Sequence, residues 1–162
     1  TIYSYFPEGR EQLVQDAYLR IADRVVAKGS ADRAGYSDVT DRVLALAGAL
    51  TSITATPEGR FYGLMGNATF GPLGGVTGSA SGKFRTMLVE DLDRARDIGL
   101  IAANAPVSEL AVLVSGALRE IGATAAREPE RAPSLLSALR TTCDALFALA
   151  EKNSHETDDR RG

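Results

Sequence analysis

The sequence has a single cysteine, Cys143, and a single histidine, His155. One cysteine rules out a disulfide framework or a cysteine-based metal site within the chain. It also fits a reducing compartment, so a cytoplasmic location is expected. His155 sits in a polar stretch near the C-terminus. Histidine acid/base chemistry in the body of the chain is thereby excluded, and no ligand cluster for a metal remains. No paired acidic constellation takes its place. We therefore expect no catalytic residue, no metal and no cofactor, and read the chain as a non-enzyme. Long apolar runs are also missing. No stretch reaches the ~18 apolar residues that span a bilayer, and no signal-peptide pattern opens the chain, so no membrane partner is expected. Nor is there an excess of positive charge: 18 Lys and Arg face 21 Asp and Glu, a formal charge of −3. Any nucleic-acid contact must be local, through a few residues rather than a whole face. The first residue is Thr1 rather than Met, which points to a fragment, a processed chain or an unrecorded start.

What is present is helical patterning. The 162 residues are 44% hydrophobic and 24% charged, enough for one domain with a real core. Sustained alternation is absent, so strands are not expected. From Arg10 to Val26, Leu13, Ala17, Ile21 and Val25 recur at fourfold spacing, with Val14 and Tyr18 beside them, predicting an amphipathic helix. Lys28-Gly29 predicts its end, followed by a loop over Ser30 to Tyr36. Ser37 is the expected cap of a second helix, whose stripe is Val39, Val43, Leu46, Leu50 and Ile53. Thr56-Pro57-Glu58 predicts a restart, opening a short helix with Phe61, Tyr62, Leu64 and Met65. Residues Phe70 to Gly82 are glycine-rich and predict a loop grading into a weak helix start. Further helices are expected over Phe84 to Ile98, Pro106 to Arg127 and Pro133 to Lys152. Residues 153–162 read as a disordered tail.

Three features invite a chemical reading. Gly78 to Phe84 suggests a phosphate loop, but that pattern needs Gly where Thr77 stands and Ser or Thr where Phe84 stands. It also misses the nucleophile elbow, because its central position is Ala80. Cys143 lies among apolar residues of a helix and reads as an inert buried thiol rather than a sensor. Asp91 stands out more. Phe84, Met87, Leu88, Asp91, Leu92, Ala95 and Ile98 share one helix face, and only Asp91 is polar. A carboxylate there must be paired or solvated. Either it pairs with an arginine or a helix N-terminus, or it anchors a ligand in a cavity.

The last two helices carry broad apolar faces. Val107, Leu110, Ala111, Val114, Leu118, Ile121 and Ala125 form one, widened by Leu113 and Ala117. The final helix has two stripes: Leu135, Leu139, Thr142, Leu146 and Leu149, and Leu136, Cys143, Phe147 and Ala150. Helices apolar on two sides need two partners. We expect a dimer seam through Leu110, Val114, Leu118, Ile121, Leu135, Leu139 and Leu146. A thick core within one subunit is the alternative.

The first thirteen residues read TIYSYFPEGREQL. Thr1, Ile2, Tyr3, Tyr5 and Phe6, then Arg10 and Leu13, resemble the junction that closes the helix-turn-helix of TetR-type (tetracycline-repressor-like) regulators and leads into the next helix. The turn Pro7-Glu8-Gly9 is one residue longer than the commonest version, and Arg10 stands where lysine is more usual. Independently of the resemblance, Thr and Tyr hydroxyls at a helix end suit phosphate oxygens, and a cation at the next helix start strengthens an anion site. The other reading is that Tyr3, Tyr5 and Phe6 are core aromatics of a short helix.

The resemblance implies an all-α, homodimeric, ligand-responsive transcription regulator, most often a repressor. Residues 1–9 would be the end of an incomplete DNA-binding domain and 10–152 the effector-binding and dimerisation domain. Thr1, Tyr3, Tyr5 and Arg10 would contact operator DNA. The effector, a small and largely apolar molecule, is expected in a cavity on the order of a few hundred Å3. At least four of Phe61, Tyr62, Met65, Phe84, Met87, Leu88 and Asp91 should line it, with Tyr62 or Asp91 as the polar contact. The competing readings are a helical small-molecule-binding or scaffold protein with no DNA partner, and a helical enzyme.

Overall fold

The structure, a computed structural model, describes residues 9–65 and 78–158, with 148–158 described by backbone alone. Thr1, Tyr3, Tyr5 and Phe6, and most of the glycine-rich segment, lie outside the described residues. Within them there are six α-helices and no strand, as the patterning predicts: α1 (Arg10–Ala34), α2 (Val39–Thr54), α3 (Pro57–Met65), α4 (Ser79–Asp97), α5 (Val107–Arg127) and α6 (Ala132–Asp158). A short 3-10 turn, Pro129–Arg131, joins the last two.

Helix α2 is the centre and packs against each of the other five. Its expected stripe is fully used: Val39, Val43, Leu46, Leu50 and Ile53 are all buried. Ala47, Ala49, Thr51 and Thr54 are buried as well, because neighbours cover the helix on several sides. The hydroxyls of Thr51 and Thr54 donate to the carbonyls of Gly48 and Thr51, so these polar groups enter the core satisfied.

Several helix boundaries differ from the expected ones, each for a local reason. Helix α1 does not stop at Lys28-Gly29 but continues to Ala34, ending at Gly35. Gly29 is buried inside it. A side chain there would lie 3.0 Å from the ring of Phe84 and 3.2 Å from Leu46. The glycine permits close helix approach rather than a turn. The cap of α2 is Asp38, not Ser37: its carboxylate accepts the backbone N–H of Asp41 at 2.9 Å. The restart at Thr56-Pro57 forms as expected, with Thr56 Oγ1 accepting from the Gly59 N–H at 3.0 Å. Helix α4 starts at Ser79, upstream of Phe84, and α6 runs past Lys152 to Asp158.

One polar assembly ties α1, α2 and α4 together. Asp91 on α4 is 1% exposed. Arg33, near the end of α1, donates to it with Nε at 2.7 Å and a terminal nitrogen at 2.9 Å. Arg42, in the first turns of α2, donates through Nε to the same carboxylate at 2.5 Å. Arg33 also reaches Glu90 and the Met87 carbonyl. Arg42 closes the ring on the carbonyls of Arg33 and Tyr36, across the α1–α2 turn. Burial opposes the charge on Arg33, but its bonds to Asp91 and Glu90 outweigh that and hold its pKa above the usual arginine value.

Asp91→Asn is expected to cost ~3–5 kcal/mol, because it strands buried guanidinium charge. Replacing Arg33, Arg42 and Asp91 together by Met, Met and Leu should be close to neutral by comparison. Urea midpoints decide this: equal losses in both variants would remove the charge-pairing explanation. A second pair of substitutions tests the backbone packing. Gly59→Ala would place Cβ 1.9 Å from the Ile53 carbonyl oxygen, whereas Gly48 has open space around it. The first should lose ~1–3 kcal/mol, and the second should gain up to ~1 kcal/mol of helix propensity.

Candidate functional site

A cleft opens between α1, α3, α4 and α5, with Leu50 of α2 at its floor. Its enclosed part is only about 30 Å3, while the cleft together with its open mouth spans about 510 Å3. The smaller figure measures the space that is truly enclosed, room for about one ordered water. Val25, Leu50, Phe84 and Leu118 form its apolar wall. Helix α5 lays a stripe along it at helical spacing: Ser115, Leu118, Arg119, Gly122 and Ala123. Small residues dominate that stripe for a packing reason. A Cβ on Gly122 would lie 2.6 Å from Leu50 Cδ2, and one on Gly63 would lie 2.6 Å from Ala126 Cβ. The two glycines therefore set the closeness of α5 to α2 and α3, and with it the cleft's depth.

Tyr18 from α1 and Tyr62 from α3 meet in this cleft. Their rings stand 4.8 Å apart at a 37° tilt, a favourable offset contact. Both are deeply buried, at 2% and 7% exposure. Burial, reinforced by Tyr18, holds the Tyr62 phenol far above its ordinary pKa. Burial also raises Tyr18, against a hydrogen bond from Tyr62. Both phenols therefore remain neutral donors across the physiological range. Arg119 is the one charged residue among those lining the cleft. Among the described residues no Asp or Glu lines it.

The sequence-predicted residues divide clearly. Tyr62 and Phe84 line the cleft; Phe61, Met65, Met87, Leu88 and Asp91 do not. The expected set of at least four is thus not assembled here, and the enclosed volume is smaller than expected. Phe61 faces outward at 36% exposure, and Leu88 is core. Met65 and Met87 pack partly buried against the core. Asp91 is saturated by Arg33 and Arg42, which resolves its two readings toward the structural pair. Sequence reasoning missed Tyr18, Ser115 and Arg119. The available signal was the run of small residues, Ser115, Gly122 and Ala123, flanking the apolar face of α5.

Other predicted positions fall as follows. Arg10 is exposed at the start of α1. Leu118, Ile121 and Leu139, placed on a subunit seam, are buried in the protomer's own core at 2%, 7% and 7% exposure. Leu110, Val114, Leu135 and Leu146 are partly buried against that core. For these residues the thick-core alternative describes the packing. Among the described residues no cluster could hold a metal, and no helix is long and apolar enough to cross a membrane.

Cys143 is buried on α6, and burial, with some repulsion from Asp144, pushes its thiol up to about 11. The unfolded thiol ionises near its ordinary value of 9.0. Between these values the unfolded chain holds fewer protons than the fold, so stability falls as pH rises. The contribution is intact below pH 9 and drains away toward pH 11. Urea unfolding from pH 8 to 10.5 should show this decline. Cys143→Ala should flatten it, leaving only the part due to the tyrosines; an unchanged slope would contradict the assignment.

No family model matches the chain, and neither a curated protein nor a solved structure matches it.

Proposed function

We propose that the chain is the effector-binding and dimerising body of a ligand-responsive transcription regulator of the TetR type, acting in the cytoplasm on operator DNA as a homodimer. The observation that carries this reading is the path of α1. In sequence the motif from Thr1 to Phe6 shortly precedes α1, and that helix supplies Tyr18 and Val25 to the cleft. At 25 residues, α1 is a rod about 37 Å long. A ligand that wedges the cleft pushes on the helix adjoining the DNA-contacting motif. The spacing of two such motifs in a dimer would then change. A neutral-to-acidic body suits this arrangement, since the DNA contact is confined to Thr1, Tyr3, Tyr5 and Arg10.

The dimer seam is proposed on the flank of α5 that the sequence reads only as a widening of its apolar face, through Leu113 and Ala117. Val112 and Leu113 on α5 are exposed at 49% and 69%. Gly116 has open space over its Cα, and Ala117 is exposed beside it. This is a shallow apolar strip that another copy could cover at close helix distance.

Two measurements test the reading. Sedimentation at micromolar concentration should show a dimer, and Leu113→Glu should split it without unfolding the protomer, because a lone carboxylate is costly in such a seam. Leu139→Glu should unfold the protein instead. A 17.1 kDa species alone would remove the dimer. The natural gene product, tested whole, should bind a two-fold operator with steep salt dependence. Tyr3→Phe and Arg10→Ala should weaken that binding about equally across sequences, as phosphate contacts do. A helical binding protein without a DNA partner would pass the dimer test and fail this one.

A further inference from the structure

We propose that the cleft takes an apolar monocarboxylic acid, with Arg119 as the partner of its carboxylate. The inference rests on the ligand-binding part of the reading above, and it names the ligand's chemistry.

The charge pattern is the first ground. Arg119 is the single charged group on the cleft, it is exposed, and it makes no ion pair among the described residues. Arg24, Arg33, Arg42, Arg96, Arg127, Arg131 and Arg140 are paired with carboxylates; of the described arginines with no ion pair, Arg119 is the one that lines this cleft. An unpaired guanidinium at the lip of an apolar cleft has a fork of donors free for a carboxylate. With no Asp or Glu lining the cleft, an amine would find no counter-charge, and an acid would find no repulsion.

The second ground is the buried tyrosine pair. Two phenols hold two O–H groups, and a bond between them uses only one. Both side chains are more than nine-tenths buried, and both line the cleft. A phenol O–H at the cleft wall can donate to an oxygen acceptor on a ligand. Both phenols stay protonated, because burial raises their pKa values. The wall beyond them, Val25, Leu50, Phe84 and Leu118, is apolar and gives an alkyl or aryl body its place. The enclosed space of about 30 Å3 is far below such a ligand's volume. Binding must therefore spread α3, α4 and α5 or turn Phe84, which is the displacement a regulator needs.

The test is calorimetric titration of the chain with decanoate, decanamide and decylamine. Decanoate should bind at least tenfold more tightly than decanamide, and decylamine more weakly than either. Arg119→Gln should bring decanoate down to the level of decanamide while leaving decanamide unchanged, with the helical circular dichroism intact. Ser81→Phe, which fills the cleft from α4, should abolish binding of both. Equal affinity for acid and amide, a preference for the amine, or an unaltered preference in Arg119→Gln would overturn the proposal. The regulator reading is judged separately. Decanoate that binds but leaves operator binding untouched in the whole gene product upholds this inference and removes that one. Operator binding without an acid preference does the reverse.

Discussion

The structure hangs on the carboxylate of Asp91 and the two guanidinium groups that grip it. A buried Asp alone would be prohibitively costly, and so would either arginine. Together they place the end of α1, the start of α2 and the middle of α4 in one arrangement. Arg42 also clamps the α1–α2 turn through the carbonyls of Arg33 and Tyr36. The value of such a buried ionic cluster is in register more than in net stability, since well-packed apolar groups can match it in energy. Here it selects one seating of α4, and α4 carries Phe84 into the core and Ala80 and Ser81 to the cleft.

Around that clasp, close approach is controlled by missing side chains. Gly29 lets α1 ride over Phe84 and Leu46, and Gly63 and Gly122 bring α3 and α5 together. The same glycines leave the cleft where larger residues would have filled it. Packing and site formation are thus one event: the helices meet closely at the glycines and diverge beside them. The diverging region is walled by Tyr18, Tyr62 and Phe84, which are too rigid to fill it completely.

The electrostatic layout has a consequence for function. The chain is acidic overall, with 21 acidic against 18 basic residues, yet among the described residues its cleft is lined by one cation and no anion. Under the proposal, a ligand there would be selected by a local field opposite to that of the whole surface. Under the proposed function, the energy for moving α1 would come from differential binding to a spread and an unspread cleft, not from affinity as such.

Much of this was readable from residues alone. The 3.6-residue spacing of Val39, Val43, Leu46, Leu50 and Ile53, and the Thr56-Pro57 restart, determined helices because local periodicity and capping are short-range properties. The lone histidine and cysteine limited which chemistries the sequence could be expected to carry. Asp91 was visible as an anomaly, since a carboxylate in an apolar stripe must have a partner. Its partners were not visible: Arg33 and Arg42 lie 58 and 49 residues away in sequence. Only tertiary packing decides such pairings. Gly29 reads identically as a helix stop or as a crossing point until Phe84 is seen above it. Leu118, Ile121 and Leu139 read equally well as seam or core, because helical periodicity reports that a face is covered and not what covers it. The cleft was hidden most, being a space lined by five helices, and no single segment encodes an absence.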